Sequence, residues 1–212
     1  LTNTGTLTAG TGLSNFNVKG NWTNNGTFTS GSVGKVTFNS TASGKTITGT
    51  ITGTSGKFND LTFNGVGGGW TIANNLDVAN TFSVTNGAVN MSGMLAVAGA
   101  TPVTVGVGGT LTLEENGSLI QSGFTGANSG NINVKRNSTP IILGDYTYWS
   151  SPTNGTHKLL NFSPNTQSGK FFTYHNAWAN SAPATDPFLK GLGYSFIAPR
   201  VKDVAVPPLL HM

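Results

Sequence analysis

Similar segments recur in this chain at a spacing of about twenty residues, and this recurrence restricts the fold more than any other feature. "GTLTAG" at residues 5–10 returns 21 positions later as "GTFTSG" at 26–31, and again as "GTLTL" at 109–113. Between these lie short segments with apolar residues at alternate positions. They are Phe16 and Val18, Val36 and Phe38, Leu61 and Phe63, Leu76 and Val78, Phe82 and Val84, Val89 and Met91, Leu95 and Val97, Val103 and Val105, and Leu111 and Leu113. Each reads as a strand of period two with one buried face. In "KTITGTITGT" at 45–54, Ile47 and Ile51 take the interior positions.

Three such segments close one turn of about twenty residues, which predicts a β-solenoid, parallel β-helix-like, over residues 1–144. Gly and Asn suit its corners, where positive φ is needed, and Thr suits the outward strand positions. The alternative is a β-sandwich of many short strands. Greek-key wiring, however, gives no reason for similarity at a fixed spacing.

Composition narrows the class of protein. Only 8% of residues are charged, and Gly numbers 30; such a chain lacks the charge of an ordinary disordered tail, and its apolar residues are regularly spaced. The net charge of +4 comes from 11 dispersed bases against 7 acids, with Lys135-Arg136 the only adjacent basic pair. Counterion release needs clustered bases, so nucleic acid is not an expected partner. The absence of Cys removes disulfides, thiolate metal sites and Cys nucleophiles. No apolar run is long enough for a transmembrane helix. Because the chain starts inside a repeat, a fragment or processed form is expected.

The pattern changes after residue 144. Eleven of the 20 aromatics fall between Tyr146 and Phe196, where Pro152, Pro164, Pro183, Pro187 and Pro199 interrupt any long ladder. A compact aromatic-rich β module is expected over residues 145–200. It is expected to pack around Tyr146, Tyr148, Trp149, Phe162, Phe171, Tyr174, Trp178, Tyr194 and Phe196, and to cap the last coil. Residues 201–212 read as a linker or tail.

The segments "GTLTLEENGSLIQSG", "NINVKRN", "GDYTYWSSPTNG", "LLNFSPNT" and "FLKGLGYSFIAP" resemble the C-terminal part of large secreted surface proteins of the Bacteroidota. Those proteins carry Thr/Asn/Gly-rich solenoid repeats followed by a "YWSSP" module ending in a "GxGY" strand. The resemblance covers about residues 105–200 and extends upstream in style. It implies export by type IX secretion, contact with that machinery during export, and a position outside the cell or on the outer membrane of a Gram-negative bacterium. The sorting domain that often ends such proteins does not appear in the sequence.

Chemistry-bearing residues are sparse. Of the seven acids only Glu114 and Glu115 are adjacent, and neighbours on a strand face opposite ways, so a turn at a strand end is their expected place. Glycoside or lyase chemistry would require acids such as Asp60 and Asp77 to meet in one groove. His157, His175 and His211 lack metal-ligand spacing. The Asn180–Asp186 loop is a candidate for calcium, although no recognised calcium motif is present; otherwise no cofactor is expected. Outward Thr ranks such as "TITGTITGT" suggest an ice-binding face, but no strict Thr-x-Thr recurs once per coil.

Two readings follow. The first is a non-enzymatic, adhesin-like stalk with a capping or contact module. The second is a carbohydrate-binding module of an extracellular polysaccharide-handling protein, in which Trp178, Trp149 and Tyr148 stack on sugar faces. Burial of Trp149 and Trp178 would favour the stalk; exposure of either beside Asn or Asp in a concave site would favour glycan binding. The expected partner is accordingly an extracellular glycan or a surface protein.

Overall fold

The computed structural model describes residues 1–9, 15–138, 140–142, 144–198 and 209–210. The chain divides into two compact units, Leu1–Ile132 and Asn133–Met212, so the second begins ahead of the expected position 145. The tail expected at 201–212 lies outside the described residues apart from the backbone of 209–210.

The first unit is a β-solenoid of about six turns of about 21 residues. Its strands are β1 (Thr2–Asn3), β2 (Thr6–Thr8), β3 (Asn15–Val18), β4 (Trp22–Asn24), β5 (Thr27–Thr29), β6 (Lys35–Phe38), β7 (Lys45–Gly49), β8 (Phe58–Ile72), β9 (Leu76–Met91), β10 (Met94–Val97), β11 (Thr104–Leu113) and β12 (Ser118–Gln121). The described strand pairs among them run parallel, and they form three columns. One column stacks β3, β6 and successive parts of β8, β9 and β11, so that Val36 lies on Leu61, Leu61 on Phe82, and Val84 on Val105. A second runs from β1 through β4 and β7 into the later parts of β8, β9 and β11, placing Ile47, Ile72, Met91 and Leu113 in one file. The third includes β2 on β5 and, further along, the start of β9 on β10 and β10 on β12. Parallel stacking of this kind excludes the sandwich, whose sheets are built from antiparallel pairs.

The alternating pairs read from the sequence all point inward. They are buried, with Ile47 and Ile51, except that Phe16, whose strand β3 pairs with β6 alone among the described residues, stays half-buried. Each fully buried Val, Leu, Ile or Phe contributes about 1.5–3 kcal/mol of transfer free energy. The interior also holds four large aromatics that the alternation did not mark: Trp22, Phe28, Phe58 and Trp70. Trp22 meets Phe28 edge-on with ring centroids 5.0 Å apart, and Phe58 at 5.4 Å.

Asn plays a different part from the one expected. The positive φ values in this unit belong to Gly, and Asn176 in the second unit is the sole non-Gly residue with positive φ among the described residues. Asn instead uses its amide. Asn3 Nδ2 donates to Asn24 Oδ1 at 2.7 Å, and Asn24 Nδ2 donates to the Thr50 carbonyl at 2.7 Å, so one buried ladder ties three successive coils. Asn24→Ala is expected to destabilise the solenoid by about 1–3 kcal/mol, because buried partners lose their bonds without access to water. A denaturation midpoint unchanged in this variant would show that the ladder is replaceable.

After β13 (Ile132–Lys135), at the division between the units, β14 (Tyr146–Trp149), β15 (Phe171–Tyr174), β16 (Trp178–Asn180) and β17 (Tyr194–Ile197) of the second unit form a four-stranded antiparallel sheet in the order β14-β17-β15-β16. One face packs on the short helix α1 (Leu159–Phe162) and the Phe188 segment. Leu159, Phe162, Phe171, Phe188, Tyr194 and Phe196 form this core, with Trp149 and Leu192 against it. Phe162 stacks on Phe188 at 4.6 Å. The Tyr194 hydroxyl donates to the Pro187 carbonyl and accepts from the Leu189 N–H, both at 2.9 Å, while burial pushes its phenol above the usual range. Tyr146, Tyr148, Tyr174 and Trp178 are not in this core. Strand parity places them on the opposite face, which corrects the sequence expectation that all nine aromatics pack together.

Candidate binding face on the aromatic sheet

The outer face of the four-stranded sheet is assembled by register. Tyr148 pairs with Ser195, and Ser195 with Phe172; Phe172 pairs with Asn180, and Tyr174 with Trp178. Residues directly opposite share a face, so one row reads Tyr148, Ser195, Phe172, Asn180 across the four strands. The β15–β16 turn fixes the end of the next row. His175, Asn176 and Ala177 form a three-residue loop with Asn176 at φ 60° and the His175 N–H donating to the Ala177 carbonyl at 3.0 Å. Asn is among the few residues that tolerate this left-handed conformation, so the loop closes with Trp178 opposite Tyr174.

Side chains from the outer strands lean over the middle of the sheet. Tyr148 reaches Trp178 with ring centroids 5.8 Å apart and planes inclined at 49°, and Trp178 touches Tyr174 at 5.2 Å and 58°. Tyr146 packs on Phe172 at 5.9 Å. Together Tyr146, Tyr148, Phe172 and Trp178 wall a recess of about 260 Å³, with Ser195 also lining it. The contrast in exposure shapes it: Tyr148 is 71% and Trp178 47% exposed, whereas Ser195 is 3% exposed. No charged side chain lines the recess. It is therefore an open, aromatic-walled trough with a small polar floor.

Of the three candidate stacking residues, Tyr148 and Trp178 are brought together here. Trp149 is sent to the other face, where its Nε1–H donates to Thr147 Oγ1 at 2.8 Å and its ring lies edge-on to Phe162 at 5.0 Å. Tyr146, Phe172 and Ser195 were not singled out for binding by the sequence. Their signal is parity: in "FFTY" at 171–174, Phe171 faces the core, so Phe172 and Thr173 must alternate outward and inward.

The other candidate groups are dispersed. Asp60 Oδ1 accepts from Asn80 Nδ2 at 2.7 Å and from the Thr81 N–H at 3.1 Å, while Asp77 Oδ2 accepts from the Gly53 N–H at 2.8 Å. Each carboxylate thus secures a corner of the solenoid. Glu114 and Glu115 follow the end of β11, as the turn reading expects. In the loop proposed for calcium, Asp186 Oδ2 accepts from the Ala182 N–H at 2.7 Å. Among the described residues no group of three or more His, Asp or Glu is placed to hold a metal ion, and no helix is long and apolar enough to cross a membrane.

The family described as a domain of unknown function (DUF8693) matches residues 8–207 of the chain. No curated protein and no solved structure matches it.

Proposed function

The chain belongs to the DUF8693 family, and we propose that it is a non-enzymatic, exported surface protein in which a rigid solenoid carries an adhesin-like contact module. The observation that carries this reading is the outer face of the four-stranded sheet. Tyr146, Tyr148, Tyr174 and Trp178 are all exposed there, although the module has a separate complete core on its other face. Folding therefore does not require these rings to be aromatic, whereas contact with a partner does, because exposed Tyr and Trp are the residues that most often anchor interfaces. The solenoid supports the reading from the other side. Its coils repeat one nearest-neighbour interface, which gives length and stiffness, and its low charge leaves a surface of hydroxyls and amides. The resemblance to secreted Bacteroidota surface proteins supports export and surface attachment.

The test is adhesion. The fluorescently labelled 212-residue chain is titrated onto intact bacterial cells and isolated extracellular matrix, beside a Tyr148→Ala/Trp178→Ala double variant whose folding is checked by circular dichroism. Saturable retention that weakens by about tenfold or more in the folded variant is expected, the scale of losing interface anchors. Equal retention of both proteins would place the contact surface elsewhere.

A further inference from the structure

We infer that the trough on the outer face takes a neutral, non-crystalline polysaccharide chain, with one sugar ring over Ser195 and adjoining sugars stacked on Tyr148, Trp178 and Tyr174. The inference rests on the reading of that face as the contact surface, and it names the ligand class. Ring chemistry comes first. The exposed residues are Tyr and Trp, whose flat faces match the C–H faces of a pyranose while the phenol and indole edges remain free to hydrogen-bond. Charge comes second. The lining of the trough carries no ionised group, so it offers nothing to neutralise an anionic polymer or a phosphate. The polar groups that do flank it, Ser195 in the trough and Asn180 in the same row, are a hydroxyl and an amide. Such groups both donate and accept, as sugar hydroxyls require.

Size and shape narrow the choice further. A volume of about 260 Å³ falls just below the about 300–1,000 Å³ of pockets that enclose a drug-sized molecule. An open trough of that size suits one sugar of a chain that enters and leaves. The stacking rings are not coplanar: Trp178 is inclined at 49° to Tyr148 and at 58° to Tyr174. Successive sugars on these rings must turn relative to one another, which a hydrated, twisted chain permits and the flat face of a crystalline fibre does not.

The test titrates soluble neutral glucans, mannans and xylans into the full chain while following Trp fluorescence, with alginate and polygalacturonate as anionic comparisons and microcrystalline cellulose and chitin in a pull-down. At least one neutral soluble polysaccharide is expected to bind saturably and to compete with adhesion. Its affinity should fall about tenfold or more in both Trp178→Ala and Tyr148→Ala, and the crystalline fibres should retain none of the protein. If adhesion depends on the aromatic face but no neutral polysaccharide binds or competes, the ligand class is wrong and the contact face stands. Binding confined to anionic polymers, or binding that survives both substitutions, overturns the inference. So does a concentration-dependent dimer in sedimentation that Tyr148→Ala abolishes, since the face would then be occupied by a second copy. Loss of face-dependent adhesion itself would overturn the broader reading instead.

Discussion

Trp22→Ala is expected to destabilise the solenoid by about 3–5 kcal/mol, the cost of deleting a large buried aromatic and leaving a cavity. Trp22 is wholly buried and sits among Phe16, Phe28, Phe38 and Phe58, with ring centroids 5.0–6.1 Å away. Those partners belong to different strands of neighbouring coils, fixed by backbone hydrogen bonds, so the hole has little freedom to close. Trp22→Phe should recover most of the loss. The indole Nε1–H is buried without a hydrogen-bond partner, so replacement by a phenyl ring removes an unsatisfied donor while keeping most of the contact area. The measurement is the urea midpoint of both variants at unchanged slope, with near-ultraviolet circular dichroism reporting on the aromatic cluster. A loss below about 1 kcal/mol for Trp22→Ala would mean that the coils relax around the gap, contrary to a close-packed interior.

Much of the solenoid is legible in the sequence because inward and outward positions alternate, and a strand of that pattern declares its own buried face. The columns through Val36, Leu61 and Phe82 could be read this way. The strands β4 and β5 could not. In "WTN" the second inward residue is the polar Asn24, and in "TFT" Phe28 is the lone inward apolar side chain. With a single apolar residue per strand there is no alternation to detect, although each such residue fills the interior as fully as a pair does. Coil length also varied more than the repeat suggested: Phe16 lies under Val36 but Val36 lies under Leu61, because corner loops absorb extra residues without disturbing the stacked positions.

In the second unit, composition identified the aromatic module but treated its rings as one cluster. Strand parity contradicts that wherever two of them are an odd number apart on one strand. Tyr148 and Trp149 are neighbours on β14, so both cannot enter the same core; likewise Phe171 and Tyr174 on β15. What parity alone leaves open is which set is inside. That depended on α1 and Phe188, whose packing against the sheet is a tertiary fact with no local signature. The exposed face is therefore the part of the candidate site least accessible to sequence reasoning.

Gly49→Ala is expected to cost about 2–5 kcal/mol, and a set of glycine substitutions resolves why. Gly49 lies on Asn24 in the stack and has φ 89°. A side chain there bears a left-handed backbone cost of about 1–2 kcal/mol. Its Cβ would also fall 2.2 Å from the Asn24 carbonyl oxygen of the adjoining coil, which must be pushed away, and overpacking of this kind adds about 1–3 kcal/mol. Gly44 has a comparable φ of 75° but nothing within 4 Å of an added Cβ, so Gly44→Ala isolates the backbone cost. Gly20 has neither obstacle, and Gly20→Ala should be neutral or stabilise by about 0.4–1 kcal/mol through the lowered entropy of the unfolded chain. Urea midpoints should fall in the order Gly20→Ala, Gly44→Ala, Gly49→Ala. If Gly49→Ala costs no more than Gly44→Ala, the coils are not in the close contact that the hydrogen bond from Asn24 to the Thr50 carbonyl requires, and the glycine serves only to turn the chain.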